Sequence, residues 1–217
     1  MSLANTEPTP PGFRPPLQAR SREALQKVLA AAEDVLAADG FDEFTMTAVA
    51  DRAGVSVGAI YRRFDGKEQL LAAVKDRLLS HLEEDLAERL RTAHPSLEGV
   101  VAAFATAIAD AFAASGPAWP DLLQSAGKPL KERGLGALET VRQLFEQASA
   151  TYRSEVRRSD PPAALAAVER MMTGALIHQA AMQFSSRGTV PIQAYAQQLS
   201  DMAIAYLLTP DHVTPRS

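Results

Sequence analysis

Thr45-Met46-Thr47-Ala48-Val49-Ala50-Asp51-Arg52-Ala53-Gly54-Val55-Ser56-Val57-Gly58-Ala59-Ile60-Tyr61-Arg62-Arg63-Phe64 reads as a short helix, a tight turn and a second short helix. Thr45 suits the N-cap of the first, where its hydroxyl can accept from a backbone N–H with no partner inside the helix. Met46, Val49, Ala50 and Ala53 recur at helical spacing and give that helix one apolar face. Gly54 permits the positive φ that ends a helix and reverses the chain. Ser56 caps the next helix, in which Ile60 and Phe64 lie four apart and point inward.

With 60 and 64 facing in, three rows face out: Val57 with Tyr61, Gly58 with Arg62, and Ala59 with Arg63. Small side chains let a helix sink into a groove, and Arg and Tyr offer donors to phosphates and base edges. The stretch therefore reads as a helix-turn-helix whose second helix is equipped for a DNA major groove. Taken alone, it also fits a helical hairpin with a solvated basic face.

The flanks weigh between the two. Gly40-Phe41-Asp42-Glu43-Phe44-Thr45-Met46-Thr47, Ala53-Gly54-Val55-Ser56 and Ile60-Tyr61-Arg62-Arg63-Phe64-Asp65-Gly66-Lys67-Glu68-Gln69-Leu70-Leu71 together resemble the TetR family of bacterial transcriptional regulators over about residues 22–75. The resemblance implies an all-α chain with a three-helix DNA-binding head joined to a larger helical body, about nine helices in all. By it, Thr45, Tyr61, Arg63 and Lys67 match phosphate-contacting positions. Ser56, Val57, Gly58, Ala59 and Arg62 complete the candidate DNA-binding set. Relatives often carry a polar residue at one of the positions of Val57, Gly58 and Ala59, so direct base reading falls heavily on Arg62.

Composition bounds the rest. The 217 residues are 47% hydrophobic and 22% charged, which excludes general disorder, and no apolar run is long enough to suggest a membrane span. There is no cysteine, hence no disulfide and no thiolate chemistry. No apolar leader precedes a small-residue cleavage site, so a cytoplasmic location is expected. The net charge of −4 does not favour nucleic acid, and residues 1–75 hold nine Lys/Arg against ten Asp/Glu. Local placement carries the positive charge instead: Arg14, Arg20 and Arg22 form an acid-free run, and Arg62, Arg63 and Lys67 cluster.

Residues 1–20 contain five prolines and read as an extended arm, either reaching toward DNA with its arginines or without a role. A helix is expected over Ser21–Ala38, the helix-turn-helix domain over residues 21–70, and an effector-binding and dimerisation domain over 71–209, with a tail at 210–217. From Lys67, Leu70, Val74, Leu78, Leu82, Leu86 and Leu90 recur every four residues, marking a helix that leaves the head for the body. Further helices are expected over Ser96–Ala114, in a short segment after Pro117, after Pro129, over Ala163–Phe184 and over Pro191–Leu208.

Two constellations lie in the body. Phe104, Ile108, Phe112, Trp119, Phe145, Tyr152, Met171 and Met182, with His178 and Gln179 as polar anchors, are candidates for a pocket taking a small, largely apolar effector; each alone also fits plain core filling. Ala167, Arg170, Gly174 and Ile177 form part of a small-residue strip, and Tyr195, Leu199, Met202 and Tyr206 mark a face of the last helix. The resemblance implies that these two helices pack against a second copy as a homodimer; burial within one subunit is the alternative. A dimer would set two recognition helices about 34–36 Å apart on a palindromic operator.

No metal-ligand pairing of histidines, nucleophile elbow or phosphate-cradling glycine loop is present, so no catalytic residue, cofactor or metal is expected. The expected function is a DNA-binding transcriptional regulator, a ligand-released repressor binding double-stranded operator DNA. An activator, a helical small-molecule-binding protein without DNA function and a helical enzyme are the alternatives.

Overall fold

A computed structural model describes residues 17–114, 122, 128–183 and 190–211. Among them there are eight α-helices, one 3-10 helix and no strand. The expected segment after Pro117, with Trp119, lies outside the described residues apart from the buried Leu122.

Helix α1, Leu17–Asp39, starts four residues inside the stretch expected to be an arm. Its inner face is Val28, Ala31, Ala32, Val35 and Leu36, all buried. Full burial of a Val or Leu side chain contributes about 1.5–3 kcal/mol, so this stripe is enough to seat the helix. Helix α2, Met46–Ala53, packs against it, and helix α3, Val57–Tyr61, packs against α2.

Helix α4, Lys67–Thr92, runs unbroken from the head into the body, across the boundary expected at residue 70. Its buried residues are Leu70, Leu71, Val74, Lys75, Leu79, Leu82, Leu86 and Leu90. A strict four-residue repeat advances about 400° per step on a helix of 3.6 residues per turn, so the stripe drifts. Leu79 takes the inner position expected of Leu78, and Leu78 is only partly buried. Lys75 is 1% exposed, and burial, with Arg133 close by, holds its ammonium below the ordinary lysine pKa.

Helix α5, Leu97–Ala114, is apolar nearly all round, and Val101, Phe104, Ala105, Ala107 and Ala109 are wholly buried in it. It is the one helix among the described residues long and apolar enough to cross a membrane by length and composition. Here it is the central helix of the body, contacted by α4 and by α6 (Lys128–Ser149), α7 (Pro161–Gln183) and α8 (Ile192–Leu208). A helix with no polar face belongs inside such a bundle. The 3-10 helix Ala150–Glu155 follows α6, where the pattern of the helix expected after Pro129 continues through Val156.

Helix α6 is tied to α4 by one guanidinium. Arg133 Nε donates to Asp76 Oδ1 at 2.6 Å, Nη1 to Glu83 Oε1 at 2.7 Å, and Nη2 to Ser80 Oγ at 3.2 Å. Positions 76, 80 and 83 share one face of α4, so this side chain spans two of its turns.

Candidate nucleic-acid interface

Local chemistry sets the turn. The Ala48 N–H donates to Thr45 Oγ1 at 3.0 Å, and the Ala59 N–H to Ser56 Oγ at 3.2 Å. Each such cap contributes about 1 kcal/mol, a large share for helices this short. Gly54 has φ 64° and ψ 40°, in the left-handed region. The Val55 N–H then reaches Ala50 O at 3.0 Å and the Gly54 N–H reaches Asp51 O at 3.2 Å, the paired bonds of a Schellman stop.

Ile60 is wholly buried, and Phe64 is buried just beyond the helix end. Helix α3 is one turn and a half, shorter than the reading through Phe64, but the Phe64 N–H still bonds Ile60 O at 3.0 Å. That inward anchor fixes what faces out. Tyr61 is 52% exposed, and Arg62 and Arg63 are exposed beside it. Gly58 is exposed, and a Cβ built on it would meet nothing within 4 Å. Thr45 and Ser56 are exposed, while Val57 and Ala59 are half-buried.

The cations are not equivalent. Arg62 has no ion pair or side-chain hydrogen bond among the described residues. Arg63 Nη2 instead donates to Ser21 O at 3.1 Å and Ser21 Oγ at 3.0 Å, tying the end of α3 to the start of α1. Sequence reasoning missed this contact, because nothing local marks a partner 42 residues away. Lys67 Nζ lies 5.1 Å from the Phe41 ring centre, 5.7 Å from that of Phe44, and 3.5 Å from Phe41 O. An ammonium has three donors, so this anchoring leaves others for an outside acceptor.

The two sets of candidates in the body sort differently from expectation. Phe104, Ile108, Phe112 and Phe145 are all buried, and the Phe104 and Phe145 rings meet edge-on at 4.7 Å. They fill core; Phe145 also lines a small cavity of about 120 Å³ with Ser149, Leu165 and Glu169. Glu169 is itself buried, which raises its carboxyl above the ordinary range while the Thr173 hydroxyl, donating at 3.1 Å, opposes the shift. Tyr152 is half-buried on the 3-10 helix. Gln179, expected as a polar anchor, donates to Val190 O at 2.7 Å.

Met171, His178 and Met182 do not join that group. They are exposed on the outer face of α7, in one row with Ala167 and Gly174. Helix α7 is apolar on most of its circumference, so periodicity alone could not choose the side that packs inward. Arg170 is exposed and Ile177 partly so. On α8, Met202 is 53% exposed and Tyr206 is exposed beneath the Arg158 guanidinium, 4.3 Å from its ring centre. Tyr195 is half-buried, whereas Leu199 is 3% exposed and packs within its own subunit, so it leaves the expected dimer set.

Residues 28–74 match the sequence family described as bacterial regulatory proteins, tetR family. The chain is 29% identical over 194 residues to the HTH-type transcriptional regulator BetI of Cronobacter sakazakii, covering 85% of this chain and 93% of that one. To the HTH-type transcriptional repressor BepR of Brucella suis biovar 1 it is 33% identical over 79 residues, 36% of this chain and 38% of that one. Its fold is similar to the crystal structure of the transcriptional regulator FadR from Bacillus subtilis in complex with stearoyl-CoA, with a TM-score of 0.63 and 16% identity over 84% of this chain and 98% of the other. Capped helices around a left-handed glycine, an outward tyrosine and arginine, and the family match over residues 28–74 agree: the chain belongs to the TetR family of DNA-binding helix-turn-helix transcriptional regulators.

Proposed function

We propose that this regulator is a ligand-released repressor that binds a palindromic operator as a homodimer in the cytoplasm. The observation that carries the reading is helix α3: Ile60 is wholly buried while Tyr61 and Arg62 stand free on the opposite side. Thr45, Ser56 and Lys67 lie around it for phosphates, and Val57, Gly58 and Ala59 present a low surface for close approach. Arg63 acts here chiefly as a strut between α3 and α1, adding positive charge to the groove from its anchored position.

Selection of bound sequences from random DNA tests the reading directly; a palindrome should emerge, and recovery of no preferred sequence would overturn it. Against that selected site, Arg62→Ala is expected to cost about 1–3 kcal/mol per lost base contact and to reorder the ranking of single-base variants. Tyr61→Phe and Lys67→Ala should weaken all variants nearly equally. An unchanged ranking for Arg62→Ala, measured by fluorescence anisotropy, removes Arg62 from base reading.

The dimer is supported by the uncovered apolar row of α7 and by Met202 and Tyr206 on α8. Such patches on a lone chain mark interaction surfaces. Met202→Asp sets a charge in the middle of it and is expected to raise the dimer dissociation constant by roughly a hundredfold, the scale of a central interface residue. Sedimentation velocity that finds the variant still dimeric at low micromolar concentration rules this face out. One solved protein of this fold, FadR from Bacillus subtilis, is described in complex with stearoyl-CoA. It motivates a small, largely apolar effector here. Release from DNA is then a population shift in the setting of α4, requiring about 5.5 kcal/mol of differential effector binding for near-complete conversion.

A further inference from the structure

The last turn of α8 ends in carbonyls with no partner inside the helix, and a helix C-terminus carries partial negative charge. The junction between the 3-10 helix and α7 supplies the missing donors. The Arg157 N–H donates to Leu207 O at 2.8 Å, and Arg158 Nη1 donates to Thr209 O at 3.2 Å. Arg158 Nη2 lies 2.7 Å from Asp211 Oδ1, and Asp211 Oδ2 accepts from the Ser159 N–H at 2.8 Å. The end of α8 is thereby closed onto residues 157–159.

The same guanidinium has a second task. It lies over the Tyr206 ring, 4.3 Å from the ring centre. Its Nε is buried and makes no hydrogen bond among the described residues, so the fork turns its outer donors to the chain end and its flat face to the ring. Tyr206 nevertheless remains 40% exposed, and Met202, one turn earlier on α8, is exposed with it. A tyrosine held on one side and open elsewhere is a pre-ordered contact, because the rotamer freedom that a partner would have to remove is gone before binding. Tyrosine and arginine are also the residue types that dominate the centres of protein interfaces.

We propose that Arg158 is a positioning residue for self-association: by stacking on Tyr206 and closing the end of α8, it presents Met202 and Tyr206 ready for a second copy of this chain. This role rests on the homodimer reading above and names the residue that sets its contact face. Arg158 need not touch the partner, since its effect passes through the ring it holds. In a two-fold dimer the same patch serves on both subunits, so a change at residue 158 loosens two anchors at once.

The test follows the full chain by sedimentation equilibrium over a concentration series, with circular dichroism checking that each variant keeps its helix content. Arg158→Ala is expected to raise the dimer dissociation constant by about tenfold or more. Tyr206→Phe keeps the ring, and Arg158→Ala should cost as much on that background as in the parent. Tyr206→Leu removes the stack, and there Arg158→Ala should change the constant by less than about twofold, because a residue acting through another has nothing left to act on. Arg158→Lys keeps the charge near Asp211 without the planar face and is expected to weaken the dimer with Arg158→Ala; it replaces that variant in the series if the alanine loses helix content. A constant untouched by substitution at 158, or the same loss with and without the ring, overturns the positioning role. With the parent dimeric and Met202→Asp monomeric, such a result removes Arg158 alone and leaves the homodimer reading standing. A parent that stays monomeric throughout the series overturns both.

Discussion

Gly58→Glu is expected to abolish recognition of the selected operator, by at least about a hundredfold or roughly 3 kcal/mol, while leaving the fold as stable as before. The position is the second residue of α3, exposed, with nothing within 4 Å of a built Cβ. Its backbone is helical, so a side chain adds no strain, and replacing glycine in a helix gains up to about 1 kcal/mol of propensity. A carboxylate in a first helical turn gains a further few tenths of a kcal/mol from the helix dipole. Folding therefore tolerates the change or profits from it. Binding does not: a carboxylate at the point of closest groove approach meets phosphates and base acceptors of its own sign and holds the helix off every contact together. Calorimetry should show an unchanged or slightly higher Tm beside flat anisotropy titrations. Parent-like DNA affinity would mean that α3 is not the helix in the groove.

Phe145→Ala is expected to lower the unfolding free energy by about 3–5 kcal/mol, the cost of removing a buried aromatic ring and leaving a cavity. Phe145 is 1% exposed and its ring meets that of Phe104 edge-on, joining α6 to the central α5. The result separates two roles for the aromatic residues of the body. A ring lining a ligand site can be truncated at little cost to stability and much to ligand affinity; a ring filling core behaves the other way. Denaturation at one fixed protein concentration is the measurement, since association would itself shift the midpoint. A loss below about 1 kcal/mol would return Phe145 to the ligand pocket.

The helix-turn-helix was legible because its determinants are local. Thr45, Gly54 and Ser56 act within three or four residues of themselves, and the inward pair Ile60 and Phe64 follows from spacing alone. What the sequence did not disclose depends on partners far along the chain. Arg63 looks like a free cation until α1 folds back and brings Ser21 within 3.0 Å of it. Leu78 and Leu79 are both plausible on the inner stripe of α4, and the drift of that stripe against α5 decides between them. Met171, His178 and Met182 sit on a helix apolar nearly all round, so only the packing of α7 against its neighbours determines that they face outward.

The three-point grip of Arg133 on Asp76, Ser80 and Glu83 has a mechanical consequence. It falls near the midpoint of α4, with about 20 Å of helix on the side of Lys67 and about 18 Å on the side of Thr92 at 1.5 Å per residue. A rigid rod gripped at its centre is a balance beam with a gear ratio close to one. A tilt of about 5° imposed at either tip reaches the other as a displacement of about 1.5–2 Å, neither amplified nor damped. The charged hydrogen bonds of this grip can exchange as the helix rocks, while the buried Leu79, Leu82 and Leu86 beside it keep the helix seated on the body.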